Sequence, residues 1–414
     1  MKLQTPRGTK DIAFEEVKLW QSVEEVAQKT FELGNFEEIR TPAFEYTEVF
    51  ARGVGETTDI VNKEMYTFEK GDKSLTLRPE NTAGVVRAYI QNGYFKRPLP
   101  QKFWYKGPMF RYERPQSGRQ RQFHQLGIEL FGVAGAAADA EVILVALQLF
   151  KKLRLPGLTL HLNNIGCPEC RTIYKEKIKD SLKDRLYNLC EDCQIRYFKN
   201  PLRLLDCKIV TCQNIYSEEP VNSIINQEFI CDTCKTNYNN LIEILEKANV
   251  SYQFNSKLVR GLDYYNGPVF EITSYALGAQ NAVCGGGRYD GLVKLLGGPS
   301  TPGVGWALGM ERLISLINTT VEKQIDAYIV SDNYNDAVVL ADRLRNAGIK
   351  TDLNFSKSKF SKQLDKANKL NATYAIILGS EEIEKGYYTV KKLSTGDQYI
   401  YSIEDTIACI LHNR

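Results

Sequence analysis

Residues 101–132 carry the sequence QKFWYKGPMFRYERPQSGRQRQFHQLGIELFG, which decides the fold of the first part of the chain. Residues 101–113 predict a strand, and residues 119–132 predict a returning strand. The four residues 115–118 (PQSG) have the composition of a turn. This stretch therefore predicts an antiparallel hairpin.

The alternation of side chains along a strand sets the faces of this hairpin. Arg111 and Glu113 share one face of the outgoing strand, and Gln125, Gly127 and Glu129 share one face of the return strand. A planar guanidinium is suited to phosphate oxygens, and a nearby carboxylate can accept a hydrogen bond from an exocyclic amine such as that of adenine. The alternative is an exposed hairpin held together by salt bridges.

Positive charge is concentrated around the hairpin. Residues 91–124 contain eight lysines and arginines against one acid, Glu113, with eight aromatic residues interleaved. The whole chain carries 53 basic and 50 acidic residues, a net charge of +3. This balance does not favour a histone-like nucleic-acid binder, so any contact with nucleic acid must come from local clusters such as this one.

The length and composition bound the class of protein. The 414 residues, 43% of them hydrophobic and 25% charged, predict two to three globular domains. Only three histidines are present, which excludes a histidine-rich metal centre and an H-E-x-x-H zinc protease. The first residues lack the apolar stretch of a signal peptide, and no apolar run approaches a membrane span. We therefore expect a cytoplasmic protein without a membrane segment.

Eight of the ten cysteines fall between residues 167 and 234. They form four closely spaced pairs, which are Cys167 and Cys170, Cys190 and Cys193, Cys207 and Cys212, and Cys231 and Cys234. Such pairs could complete two tetrahedral zinc sites, or one site with spare thiols. Buried free thiols and a redox role are the alternatives. The surrounding residues 164–245 predict a small, mostly helical insertion, with helices over 175–189 and 239–248.

The rest of the chain predicts two further kinds of architecture. Residues 1–163 and 246–322 predict one α+β catalytic domain with an antiparallel sheet, interrupted by the insertion. From residue 323 to 414, strands alternate with helices and predict an α/β domain. No P-loop and no G-x-G-x-x-G between a strand and a helix is present.

Three glycine-rich segments add candidate functional residues. Residues 259–265 (VRGLDYY) and 285–291 (GGGRYDG) combine an arginine, glycines and tyrosines. Residues 303–312 (GVGWALGMER) predict a strand that enters a helix, with Arg312 in its first turns. Glycine permits close approach of the backbone to a ligand, although each segment alone also fits a tight turn or strand–helix packing.

In chain order these segments resemble the histidyl-tRNA synthetase family, whose members are class II aminoacyl-tRNA synthetases. The first class motif resembles residues 38–42 (EIRTP), the second resembles 110–113 (FRYE) with 119–127 (RQRQFHQLG), and the third resembles 309–312 (GMER). Residues 260–265 (RGLDYY) and 286–291 (GGRYDG) resemble segments particular to the histidine enzymes, and 77–80 (LRPE) also matches. The resemblance covers nearly the whole chain.

The resemblance implies an activity and a set of site residues. Histidine would be activated with ATP and Mg²⁺ and then joined to tRNA(His). Arg111 and Arg312 would contact the ATP phosphates, Glu113 the adenine, and Arg260 both the histidine carboxylate and the α-phosphate. Histidine binding is implied for Glu80, Thr82, Gln125, Glu129, Tyr264, Tyr265 and Tyr289. The chain departs from the family at Asn81, where glycine is usual, and at Gly285, where alanine is common.

The resemblance also implies partners. The first class motif implies a homodimer, and residues 323–414 resemble the family's anticodon-binding domain. The insertion stands where the family has a variable helical module near the tRNA acceptor stem. Independently of the family, the basic hairpin predicts acceptor-stem contacts for Gln116, Arg119 and Arg121. We assign His124 a structural role.

Two other functions stay open at this point. The first is a non-catalytic paralogue, either a regulatory subunit of histidine biosynthesis or a tRNA sensor. The presence of Arg111, Arg260, Arg312 and Glu129 together with the terminal domain argues against it. The second is a zinc-ribbon RNA-binding protein, which accounts for residues 167–234 only.

Overall fold

The computed structural model describes residues 3–56, 58–116, 118–226, 229–277, 281–318, 324–355 and 358–413. The chain divides into two compact units, Met1–Ile12 with Leu19–Thr319, and Ala13–Lys18 with Thr320–Arg414. The predicted boundary between residues 322 and 323 lies outside the described residues. The boundaries 1–163, 164–245, 246–322 and 323–414 remain a prediction.

The first unit contains two sheets. Its strands are β1 (Glu37–Glu38), β2 (Phe44–Tyr46), β3 (Tyr66–Lys70), β4 (Lys73–Leu77), β5 (Gln101–Phe110), β6 (Gln122–Phe131), β7 (Leu158–Asn164), β8 (Gln253–Phe254), β9 (Asn266–Ser274), β10 (Ala282–Arg288) and β11 (Gly303–Gly309). The larger sheet has the order β1-β5-β6-β11-β10-β9-β7-β8, and the smaller one has the order β2-β4-β3.

The antiparallel sheet expected for the catalytic domain is confirmed in its six central strands. Only the two edge strands of the larger sheet differ, since β1 pairs with β5 and β8 pairs with β7 in parallel. Both edge strands are two residues long.

The predicted hairpin is present, but its strands are shorter than expected. β5 ends at Phe110 and β6 begins at Gln122, so Arg111 and Glu113 lie beyond the end of the outgoing strand. The backbone N–H of Arg111 still donates to the carbonyl of Arg121 at 2.9 Å, which extends the pairing by one residue. The turn expected at residues 115–118 includes Ser117, which lies outside the described residues.

Helices pack on both faces of the larger sheet. The α-helices between residues 14 and 315, including those of the insertion, are in chain order α1 (Phe14–Leu33), α2 (Thr47–Val54), α3 (Thr82–Gln91), α4 (Ala136–Lys152), α5 (Pro168–Leu182), α6 (Glu191–Lys199), α7 (Val210–Tyr216), α8 (Val221–Ile225), α9 (Asp232–Lys247), α10 (Leu292–Leu295) and α11 (Met310–Ser315). Shorter turns are a π-helical one at Ile60–Glu64 and 3₁₀ turns at Tyr94–Lys96, Lys183–Asn188, Pro201–Asp206 and Tyr275–Leu277.

The two faces of the larger sheet carry different side chains. Leu126 and Ile128 of β6 are buried with Trp306 of β11 against α4. Because side chains alternate along a strand, Gln125 and Glu129 of β6 lie on the opposite face. That second face is the one that positions the candidate site.

The insertion is mostly helical, as expected. Its first helix begins at Pro168, seven residues before the predicted start, because Cys167 with extended backbone serves as the N-cap and proline fits the first helical position. α5 to α8 enclose a hydrophobic core in which the rings of Tyr174 and Phe229 stack with centroids 3.7 Å apart.

The second unit is the expected α/β domain. Its strands are β12 (Ile325–Ser331), β13 (Thr351–Leu353), β14 (Ala372–Leu378), β15 (Tyr388–Lys392) and β16 (Gln398–Tyr401), in the order β13-β12-β14-β15-β16. Its helices are α12 (Tyr334–Asn346), α13 (Phe360–Lys369), α14 (Ser380–Lys385) and α15 (Ile403–His412). Within the described ranges, none of the chain's helices is long and apolar enough to cross a bilayer.

Candidate functional site

Glu129 occupies the centre of a buried pocket on the second face of the sheet. Its side chain is fully buried. One carboxylate oxygen accepts hydrogen bonds from Thr82 Oγ1 at 2.6 Å and from the Tyr105 hydroxyl at 3.4 Å, and the other accepts one from the Tyr289 hydroxyl. Burial raises the pKa of Glu129 to about 8, and the neighbouring carboxylate of Glu80 acts in the same direction.

Glu80 lies at the N-terminus of α3. Its carboxylate accepts the backbone N–H of Thr82 at 2.7 Å and that of Ala83 at 2.9 Å, two donors that the helix itself leaves unpaired. Burial raises the pKa of Glu80 as well. Two buried carboxylates thus share one pocket, and such a pocket favours a ligand that brings hydrogen-bond donors and positive charge.

Three tyrosines surround these carboxylates. The rings of Tyr264 and Tyr265 have centroids 4.6 Å apart, and the Tyr289 ring lies 5.6 Å from that of Tyr264. Burial raises the pKa of all three, to about 12 for Tyr265, so each hydroxyl keeps its proton at neutral pH. Among the described residues, the buried polar atoms at this pocket that have no hydrogen-bond partner include Tyr264 Oη and Gln125 Oε1.

Arg260 borders the same pocket. Its Nη1 donates to Glu271 Oε2 at 2.8 Å. Arg260 lies beside Gly285 of β10, where a β-carbon would come within 2.2 Å of the guanidinium nitrogens. A residue with a side chain at position 285 would therefore require Arg260 to move.

Arg111, Glu113 and Arg312 gather at the turn end of the hairpin. Arg111 Nε donates to the carbonyl of Pro79 at 2.9 Å, and Arg312 Nη1 donates to the carbonyl of Ala282 at 2.8 Å. Burial is the main cause that lowers the pKa of Arg312. The carboxylate of Glu113 lies close enough to act in the opposite direction and raise it. Glu113 forms an ion pair with Arg119 at 3.3 Å, so the salt bridge considered from the sequence does exist.

His124 connects the hairpin with the third motif. Its Nδ1 lies 3.0 Å from Glu311 Oε1, and its backbone N–H donates to both oxygens of the same carboxylate. Its ring packs edge-on against Trp20. Glu311 precedes Arg312 in α11, so these contacts hold Arg312 relative to the hairpin, which fits the structural role assigned to His124.

The three predicted tRNA-contacting residues lie on the hairpin turn. Gln116 and Arg119 pair through their backbones at 3.1 and 2.9 Å. The Arg121 guanidinium lies 3.9 Å from the centre of the Tyr112 ring. Gln116 is exposed, and the two arginines are half-buried.

The eight cysteines of the insertion gather into two groups of four. The first cysteine cluster contains Cys167, Cys170, Cys231 and Cys234, and the second cysteine cluster contains Cys190, Cys193, Cys207 and Cys212. Within each cluster all sulfurs lie within 4.8 Å of one another. A zinc ion with Zn–S bonds of about 2.3 Å would need sulfurs about 3.8 Å apart, so both donor sets fit tetrahedral zinc.

The structure places six of the residues expected at the histidine site in one buried group, which are Glu80, Thr82, Glu129, Tyr264, Tyr265 and Tyr289. The three expected at the ATP phosphates and adenine, Arg111, Glu113 and Arg312, lie near one another. Two further residues, Tyr105 and Glu271, lie beside these groups and were missed by the sequence analysis. Tyr105 shares its strand face with Arg111, so alternation along β5 could have indicated it. Glu271 carried no sequence signal, because its partner Arg260 precedes β9 in a separate loop. Asn81 Oδ1 accepts from Thr41 Oγ1 at 2.6 Å. Its backbone has φ −114°, which requires no glycine.

Comparison with known proteins gives two matching families. The family described as "Histidyl-tRNA synthetase" matches residues 8–313, and the one described as "Anticodon binding domain" matches residues 319–413. A histidine–tRNA ligase of Desulfitobacterium hafniense (strain DSM 10664 / DCB-2) is 46% identical, over 98% of this chain and 97% of that protein. A histidine–tRNA ligase of Thermodesulfovibrio yellowstonii is also 46% identical, over 99% and 98%.

Comparison with solved structures agrees with these family matches. Apo histidyl-tRNA synthetase of S. aureus is 33% identical, with a TM-score of 0.81 over 99% of this chain and 100% of that one. A Bacillus halodurans protein described as an ATP phosphoribosyltransferase regulatory subunit/histidyl-tRNA synthetase has a TM-score of 0.66 over 92% and 99%. Its identity is 22%, so this second likeness concerns the fold alone.

Proposed function

Since the chain belongs to the histidyl-tRNA synthetase family, we propose a role for each residue of its site. The protein is a histidine–tRNA ligase. It joins histidine to ATP as histidyl-adenylate, releases pyrophosphate, and transfers histidine to the 3′ end of tRNA(His). The observation that supports the proposed site most strongly is the burial of Glu129 and Glu80 in one pocket.

Glu129 and Tyr265 hydrogen-bond the imidazole nitrogens of histidine. Glu80, Thr82 and Gln125 hold its ammonium group, for which the unpartnered Gln125 Oε1 is an available acceptor. An apolar analogue of the same size would remove the imidazole partner of the buried Glu129, which would keep only its contacts with Thr82, Tyr105 and Tyr289. The loss of that partner discriminates against the analogue without an editing site. Tyr264 and Tyr289 line the pocket, and Tyr289 orients the Glu129 carboxylate.

Arg111 and Arg312 bind the phosphates of ATP, and Glu113 accepts a hydrogen bond from the adenine amine. Glu113 also pairs with Arg119 at 3.3 Å, so adenine competes with that partner. The Arg119 side chain is 41% exposed, so its ion pair with Glu113 is screened by solvent and contributes little to stability. Replacing Arg119 by adenine as the partner of Glu113 therefore costs little free energy.

The first chemical step needs no catalytic base. The histidine carboxylate is ionised at neutral pH, so its attack on the α-phosphorus requires positioning and stabilisation of charge. Arg260 contacts both the carboxylate and the α-phosphate and stabilises the negative charge that develops between them. Mg²⁺ bound with ATP would supply positive charge to neutralise the pyrophosphate leaving group. Glu113 and Glu271 both lie near Arg312, and Glu271 also pairs with Arg260 at 2.8 Å.

For tRNA, Gln116, Arg119 and Arg121 of the hairpin turn contact the acceptor stem, and the second unit binds the anticodon. The match of residues 319–413 to an anticodon-binding domain supports the second assignment. The exposed Tyr112 and the half-buried Arg121, which stack on each other, supply an aromatic and a cationic surface for the acceptor end.

Each cysteine cluster of the insertion binds one structural zinc ion. Zinc held by four thiolates would tie together segments that are far apart in sequence, since residues 167 and 234 stand at the two ends of the module. None of the ten cysteines, all of which lie in the described part of the chain, forms a disulfide, which suits a reducing compartment and supports a cytoplasmic location.

The enzyme acts as a homodimer. The small sheet β2-β4-β3 exposes Phe44, Tyr46 and Phe68, and the rings of Phe44 and Phe68 lie 6.5 Å apart. A group of exposed aromatic side chains beside the first class motif supports an interface with a second copy. Sedimentation of the purified protein tests this assignment.

ATP–pyrophosphate exchange with each of the twenty amino acids tests the activity and the pocket together. We expect exchange with histidine alone, followed by histidine charging of tRNA(His). If the folded protein binds ATP but shows no exchange, the result would favour the alternative function, a non-catalytic paralogue. Exchange with a second amino acid would contradict the proposed role of Glu129.

A further inference from the structure

Asp263 is held by two side chains that come from the insertion. Arg171 Nη1 donates to the carbonyl of Asp263 at 3.2 Å and to the carbonyl of Tyr265 at 2.7 Å. Asn200 Nδ2 donates to Asp263 Oδ1 at 2.6 Å. The loop that carries Tyr264 and Tyr265 is therefore bound to the insertion through its backbone and through one side chain.

The two donors depend on different cysteine clusters. Arg171 directly follows Cys170, a member of the first cysteine cluster, in α5. Asn200 stands between Cys193 and Cys207 of the second cysteine cluster, at the start of the 3₁₀ turn Pro201–Asp206. Each cluster thus fixes the chain close to one of the two donors.

The catalytic domain holds the same loop from the other side. The backbone N–H of Asp263 donates to the carbonyl of Val54 at 3.0 Å, at the end of α2. A β-carbon at Gly55 would lie 2.6 Å from Asp263 Oδ2, so the two segments are in close contact. Asp263 is consequently fixed between the insertion and α2.

Tyr264 and Tyr265 follow Asp263 directly and are buried in the histidine pocket, with 7% and 5% of their surface exposed. Loss of Arg171 would leave the carbonyl of Tyr265 without its charged donor. An unsatisfied acceptor at this point would allow the loop to shift. A displacement of about 1 Å at a substrate-positioning residue is enough to impair binding or catalysis strongly.

We propose that Arg171 and Asn200 are positioning residues for histidine recognition, which they set through Asp263 and the Tyr264–Tyr265 loop. This inference rests on the proposed role of Tyr265 in binding histidine. It gives the insertion a function in amino-acid recognition, in addition to any contact it makes with tRNA.

Steady-state ATP–pyrophosphate exchange on the full chain tests the inference. We expect Arg171→Ala to raise the KM for histidine by about tenfold or more, as loss of hydrogen bonds from a charged donor implies, and to change the KM for ATP little. Arg171→Lys, which keeps the charge and can reach one carbonyl, should recover part of the effect. Arg185→Ala is the matched control, because Arg185 pairs with Glu218 inside the insertion and is not assigned to any site.

A swap of the Asn200–Asp263 pair gives a second, independent readout. Asn200→Asp opposes two carboxylates and should raise the KM for histidine, whereas adding Asp263→Asn restores a donor–acceptor pair and should return much of the affinity. Equal losses for histidine and ATP in all these variants, or no rescue by the double swap, would overturn the positioning role.

Tyr265→Phe separates this inference from the proposed function. If Tyr265→Phe raises the KM for histidine while Arg171→Ala and Asn200→Asp do not, only the positioning role fails. If Tyr265→Phe leaves the KM for histidine unchanged, the pocket assignment fails and the inference fails with it. Circular dichroism and metal content of each variant should match the wild type, and Asn200→Asp carries the test if Arg171→Ala does not fold.

Discussion

Arg260 and Glu271 form an ion pair beside the histidine pocket, with Nη1 of the arginine 2.8 Å from Oε2 of the glutamate. The side chains are 21% and 24% exposed, so the pair is partly screened by solvent. Glu271 holds the guanidinium next to the pocket. The charge that we assign to the α-phosphate and the histidine carboxylate is thus already in place, which reduces the reorganisation that the reaction requires.

Replacement of Arg260 by alanine should depress adenylate formation by on the order of 10²–10³, as expected when a charge-stabilising donor is removed. Single-turnover formation of histidyl-adenylate measures this directly. The unfolding midpoint serves as the control, since the side chain is partly exposed and its removal should leave the fold intact. Near-normal turnover would remove Arg260 from the mechanism.

The KM for histidine should depend on pH with a minimum between about 6.5 and about 8. In the complex of the enzyme with histidine, we expect Glu129 and the imidazole to hold one proton between them. Below the imidazole pKa of about 6.5 both groups are protonated, and one proton must leave on binding. Above the Glu129 pKa of about 8 neither is protonated, and one must be taken up. On each side the KM should rise by up to about tenfold per pH unit.

Glu129→Gln provides the control for that profile. Glutamine does not titrate, so the rise of the KM above pH 8 should disappear, while the rise below the imidazole pKa remains. Binding at the optimum should also weaken, because a neutral amide is a poorer partner for a shared proton. An unchanged high-pH limb would assign the upper pKa to another group.

Metal analysis should find two zinc ions per chain in protein purified without chelator. Cys167→Ser with Cys170→Ser should remove one ion, and Cys190→Ser with Cys193→Ser should remove the other, because each pair supplies half of one donor set. Cys409→Ser, which lies outside both clusters, should keep both ions. Metal-free wild-type protein would refute the assignment.

Arg288→Ala should lower the free energy of unfolding by about 3–5 kcal/mol, the usual loss when one member of a buried ion pair is removed. Arg288 bonds Asp139 at 2.9 Å, and their side chains are 6% and 4% exposed. It also donates to the carbonyls of Val133 and Gly135. Urea denaturation measures the loss.

The double variant Asp139→Asn with Arg288→Met controls for this effect. Removing both charges avoids an isolated buried carboxylate, so the double variant should be more stable than Arg288→Ala alone. A loss below about 1 kcal/mol for Arg288→Ala would contradict a structural role for this arginine of the GGRYDG segment.

The local sequence pattern was sufficient to predict much of the fold. The hairpin, the strand that leads into α11 with Arg312, and the alternating elements of the second unit all follow from side-chain periodicity and turn composition. The prediction was wrong where local signals are weak. Neither the end of β5 at Phe110 nor the start of α5 at Pro168 was expected, because strand ends depend on partner pairing and helix starts depend on a cap.

The sequence by itself determined the order of the motifs, the class of fold and the candidate residues, since each depends on neighbours within a few positions. Tertiary structure alone decided which cysteines share a cluster, that Glu271 meets Arg260, and that Asp263 receives Arg171 and Asn200. It also decided the raised pKa of Glu129. Burial, and side-chain contacts between separate elements, depend on the path of the whole chain, which no local period encodes. The contacts of Asp263 with Arg171 and Asn200, for example, join residues 92 and 63 positions apart.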